Sequence, residues 1–119
     1  MKLLLSNDSL TRYSNSGPYA TTTAIPLEGE LGTTSAALMG WLQSQLAEGE
    51  TVGQAFLEPD GFAGDMDEEG NAINTRAKLS AAVTAQAPQG SRSVVFSSES
   101  LPVELRDGLL AAWTQIESI

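Results

Sequence analysis

The chain has no cysteine and no histidine in its 119 residues, and each absence closes off chemistry. Without cysteine there is no disulfide framework, no thiolate metal site and no thiol nucleophile. Without histidine the chain lacks the side chain that most often moves protons near neutral pH, and the commonest metal ligand. Serine–histidine–aspartate triads, zinc hydrolases and haem sites with a histidine axial ligand are excluded. Any remaining chemistry would run on carboxylates, Lys, Arg, Tyr or groups of a bound substrate. The sequence therefore reads as non-enzymatic, and no catalytic residue or cofactor is assigned.

Long apolar runs are missing as well. Lys2 and Leu3-Leu4-Leu5 open like a secretory signal, but three residues fall short of the roughly seven to fifteen of an apolar signal core. No stretch approaches the ~20 apolar residues of a membrane span. A cytoplasmic protein without membrane contact is expected, and Met1 at the start is read as the opening of a complete reading frame.

Positive charge is scarce: six basic residues face fifteen acidic ones, a formal net charge of −9. The 63 residues between Arg12 and Arg76 hold no Lys or Arg and ten carboxylates, eight of them from Glu48 to Glu69. Such carboxylates have no local base, so they are expected to be solvated, to hold a cation or to face a basic partner. Affinity for phosphate is driven by Lys and Arg, so direct nucleic-acid binding is not expected.

What is present suits a folded domain. A composition 41% hydrophobic and 18% charged is ordinary for a globular protein. A chain of this length hides roughly two-thirds of its unfolded surface, enough for one core over residues 1–119. The pattern gives a short buried strand over Lys2–Ser6, a loop over residues 12–19, and a strand over Ala20–Leu27. Pro26 confines that last strand to a sheet edge or a strand end. After a turn at Glu28–Gly32, a helix starts at Thr33-Thr34-Ser35 and stops at Gly49. Leu38, Trp41, Leu42 and Leu46 form its apolar stripe, with Ser35 largely off it, and Gly40 is expected to mark close packing against another backbone.

Thr51–Leu57 reads as a strand, Pro59-Asp60-Gly61 as a turn, and Phe62–Ile73 as a polar hairpin turning at Glu69-Gly70-Asn71. Asn74–Gln86 fits two periods. A short helix with Leu79, Ala82 and Val83 inward is preferred over a strand alternating Leu79, Ala81, Val83 and Ala85. Arg92–Ser97 reads as a central strand. A last helix begins at Pro102 and buries Leu105, Leu109, Ala112, Trp113 and Ile116. No internal repeat is visible. The expected fold is α+β: a single domain with a four- to five-stranded antiparallel or mixed sheet and two to three helices packed on one face. Trp41 and Trp113 belong in the helix–sheet interface.

One segment has the letters of a chemical motif. Asp65-Met66-Asp67-Glu68-Glu69-Gly70-Asn71 matches the opening of an EF-hand calcium loop, with Asp65, Asp67 and Glu69 as candidate ligands. The twelfth position is Arg76, where that loop needs a bidentate glutamate. An ordinary acidic hairpin turn accounts for the same letters, and no metal site is assigned. Gly61, Gly64 and Gly70 lack the spacing of a phosphate cradle. Asp60 with Asp65 as a glycosidase-like pair is set aside for a solvated acidic run.

The candidate partner-binding residues are Glu58, Asp60, Asp65, Asp67, Glu68 and Glu69. A separate loop adds Arg12, Tyr13 and Tyr19, because tyrosines beside small polar residues resemble a binding loop. The expected function is a non-enzymatic acidic interaction module. It would be a small adaptor or inhibitor docking on a basic surface of a larger protein, in one version competing with nucleic acid as some small phage-encoded proteins do. The alternative is an assembly subunit that forms a homo-oligomer; a small enzyme acting through carboxylates or tyrosine comes third.

Overall fold

Alternation of buried and exposed side chains along the strands decides this fold more than helix periodicity does. The computed structural model describes residues 1–16 and 18–118, without the side chains of residues 15, 16 and 19. Its elements are β1 (Lys2–Leu5), β2 (Leu10–Ser16), β3 (Tyr19–Ile25), α1 (Gly29–Ser44), β4 (Thr51–Met66), β5 (Ala72–Ala87), β6 (Gly90–Ser97) and α2 (Val103–Glu117). A short 3-10 turn at Ser98–Ser100 leads into α2. The strands form one six-stranded sheet in the order β3-β2-β1-β4-β5-β6, with every neighbouring pair antiparallel. The chain is thus a single α+β domain with a six-stranded antiparallel sheet and two helices.

That order reads the same when β1, β2 and β3 are exchanged with β4, β5 and β6. Two βββα halves meet at the central β1–β4 pair, a repeat of topology with no counterpart in the letters of the sequence.

Leu3, Leu5, Leu10, Ile25, Val52, Ala55, Leu57, Leu79, Ala81 and Val83 point to one face of the sheet and are buried. Leu38 and Leu42 of α1 and Leu109, Trp113 and Ile116 of α2 complete the same cluster. Period-2 alternation is what one covered face requires. The other face carries the remaining parity. Across it, Ala24, Thr11, Leu4, Phe56, Ala82 and Val95 stand in register from edge to edge.

Several expectations need correction. Residues 12–16 and 19 are strand rather than loop, for Arg12–Ser16 of β2 pair with Tyr19–Thr23 of β3; polar side chains suit strands whose one face is open. Glu28–Gly32 is not a turn, because α1 already starts at Gly29 and ends at Ser44, short of Gly49. Ser35 is buried rather than off the stripe. A Cβ at Gly40 would meet nothing within 4 Å, so no close approach explains it; within α1 the crowded position is Gly32, where an added Cβ would come 3.1 Å from the Leu27 carbonyl carbon.

Pro59-Asp60-Gly61 is a bulge inside the 16-residue β4, not a turn. Pro59 lies past the last β1 partner, Leu57, so its missing N–H costs no second ladder. Residues 74–86 form strand and not helix, since Leu79, Val83 and Ala85 are buried at 1% exposure and Ala81 at 7%. β6 lies at a sheet edge rather than in the centre. Trp113 is in the core, and Trp41 packs edge-on against Phe96 with ring centroids 5.5 Å apart.

Candidate functional site

β1 pairs with β4 only at Ala55–Leu57, and β6 pairs with β5 only at Ser80–Ala87. Beyond those limits β4 and β5 have only each other, so residues 59–78 leave the sheet as a two-stranded arm. Its β4 side spans about 26 Å at the usual ~3.3 Å per residue. The molecule is accordingly long, 53 × 38 × 30 Å with a Cα radius of gyration of 15.5 Å. A compact chain of this length has a radius of gyration of about 13–14 Å.

The arm brings together five sequence candidates: Asp60, Asp65, Asp67, Glu68 and Glu69. Their roles differ. Lys78 Nζ lies 3.8 Å from Asp60, and Asn74 Nδ2 donates to Asp65 at 3.3 Å. Asp67 builds the tip: its carboxylate accepts the backbone N–H groups of Glu69 (3.1 Å) and Asn71 (2.8 Å), and Gly70 turns the chain at φ +83°. Short acidic side chains favour such turns because they replace backbone acceptors. Glu68 and Glu69 lie within that turn, exposed and without a salt-bridge partner among the described residues. Asp65, Asp67 and Glu69 do not converge: among the described residues no three acids are grouped to hold a metal ion.

The arm also carries what sequence reasoning missed. Phe62 is 79% exposed, Met66 71% and Ile73 41%. The signal was a Phe and a Met inside a polar, acidic stretch, which a buried strand would not explain. A lone two-stranded hairpin is marginal in water, and this one is anchored at its base. Arg76 donates through Nε (3.0 Å) and Nη2 to the Glu99 carboxylate in the 3-10 turn. That guanidinium holds Glu99 below the usual carboxylate range, and Glu99 raises Arg76 in turn.

The expectation that the acidic span lacks bases is corrected in part, because the sheet supplies distant ones. Lys2 Nζ lies 3.3 Å from Glu58 and 4.4 Å from the centre of the Phe56 ring. Arg92 grips Glu50 through two bonds of 2.6 and 2.7 Å, and the Ala47 N–H adds a third at 2.9 Å. Arg92 first, then that N–H, lower Glu50 to about 2 from an ordinary 4.5.

Arg12 and Tyr13 do not share a site, since consecutive strand residues face opposite ways. Arg12 Nη1 donates to the Ile116 carbonyl, 3.2 Å away near the end of α2. Tyr13 lies on the uncovered face, 6.2 Å from Phe56 between centroids. There it joins Met1, Lys2, Phe56 and Glu58 around a shallow groove. Tyr19 falls in β3, and its side chain lies outside the described residues. No described helix is long and apolar enough to cross a membrane. Comparison with protein-family models, curated proteins and solved structures finds no match for the chain.

Proposed function

We infer that this chain is a non-enzymatic interaction module, an adaptor or inhibitor that docks its arm on a basic surface of a larger protein. The observation that carries this reading is the arm itself. Phe62 and Met66 are left in water on a projecting hairpin whose tip holds the unpaired Glu68 and Glu69. Exposed large apolar groups rimmed by charge mark interaction surfaces. The partner that fits has an apolar floor to take Phe62 and Met66 and a rim of Lys or Arg to meet the tip.

The test compares the unmodified chain with two variants as bait in its native host, followed by binding kinetics on the captured protein. Phe62→Ser should dissociate faster, because it removes the buried anchor. Glu68→Gln with Glu69→Gln should associate more slowly, because rim charges act by steering. Unchanged kinetics in both variants would remove the arm from the interface.

A further inference from the structure

We propose that β3 is a self-recognition edge, through which two copies of this chain join their sheets into one of twelve strands. β3 is the last strand on its side of the sheet, so half of its backbone N–H and C=O groups have no ladder partner within the chain. Its pairing with β2 is regular over all seven residues, from Tyr19 opposite Ser16 to Ile25 opposite Leu10, with no bulge to bend the edge away. Residues 20–24 are exposed. Proteins that keep such edges single place Lys, Pro or a bulge there. Here Pro26 comes only after the strand, and no charged residue occurs between Arg12 and Glu28.

Two features select a second copy over a foreign strand. The exposed segment Ala20-Thr21-Thr22-Thr23-Ala24 reads the same in both directions. Antiparallel pairing about a twofold axis at Thr22 therefore sets Thr22 against Thr22, Thr21 against Thr23 and Ala20 against Ala24. Facing threonines hydrogen-bond and pack across strands. The second feature is where the charge lies. Each copy carries −9, yet the tip acids sit on an arm that leaves the sheet from β4 and β5, three and four strands from β3. The β3 edge is where two such copies meet with least repulsion.

Sedimentation of the full chain at micromolar concentrations should show a monomer–dimer equilibrium that tightens as salt rises, since screening removes the repulsion. Thr22→Lys and Thr22→Glu, each folded by circular dichroism and thermal melting, should each weaken the dimer by about three- to tenfold. Mixing the two should restore it, because the axis then sets Lys against Glu. Val95→Lys on the opposite edge should change nothing. A monomer at every concentration and salt overturns the proposal and leaves the edge to an extended segment of another protein. A dimer insensitive to the Thr22 variants, broken by Val95→Lys, or not recovered by the mixture overturns it as well.

Discussion

Trp113 and Glu50 hold this protein together by opposite means. Trp113 is 5% exposed and packs among leucines of both layers. Trp113→Ala should cost about 3–5 kcal/mol, the usual range for removing a large aromatic from a core, read from urea denaturation. Glu50 instead is a surface clamp between the α1–β4 connection and β6. Its folded value near 2 lies below its ordinary 4.5, so the clamp's contribution is full above about pH 4.5. It is lost as pH falls from there toward 2. Arg92→Met removes the main cause of that depression. The stability gap between the two proteins should be constant near neutrality and shrink as pH drops from 4.5 to 2, measured by denaturation at several pH values. A gap that stays constant to pH 2 would mean that Glu50 is not held by Arg92 in solution.

Elements show where local letters are enough and where they are not. α2 was legible: Pro102 stands beside its start, and of the expected stripe Leu109, Ala112, Trp113 and Ile116 are buried while Leu105 is partly buried against the core. β5 was not, because Leu79, Ala81, Val83 and Ala85 alternate within an alanine-rich run that a helix would also accept. Only pairing with β4 and β6 selects the strand. The arm escaped for the same reason. Pro59 and Gly61 are turn letters, and nothing local says that β5 will carry β4 through them as a bulge. Even so, the acidic tip was visible as Glu69-Gly70-Asn71, while the exposure of Phe62 was not. Replacing residues 60–77 by a tight Asn-Gly turn should leave a cooperatively folded domain, since the arm contributes none of the buried cluster. Loss of folding on that deletion would show that the arm props the sheet rather than projecting from it. In the whole chain, arm amides should exchange with solvent sooner than those of β1 and the sheet part of β4, as hydrogen–deuterium exchange would read.

At the scale of the molecule, charge is divided rather than merely excessive. Lys2, Arg76, Lys78, Arg92 and Arg106 each lie against a carboxylate, and Arg12 donates to the end of α2. Among the described residues no base is left over for Glu68 and Glu69, so the arm tip projects an uncompensated negative field ahead of the exposed Phe62. A basic partner would be drawn to that end first. Its association rate should fall as salt rises, because the Debye length shrinks from about 10 Å at 0.1 M to about 3 Å at 1 M. Glu68→Gln with Glu69→Gln should slow association several-fold at low salt and little at high salt, while folding stability stays within a few tenths of a kcal/mol. Self-pairing through β3 responds to salt in the opposite sense, since like-charged copies repel less when screened. Stopped-flow association at two ionic strengths, beside sedimentation under the same conditions, therefore separates the two surfaces. Partner association insensitive to both salt and the two substitutions would move the docking site off the arm. The groove around Tyr13, Phe56 and Lys2 would then be the surface to mutate, because aromatic and charged side chains meet there at the surface as well.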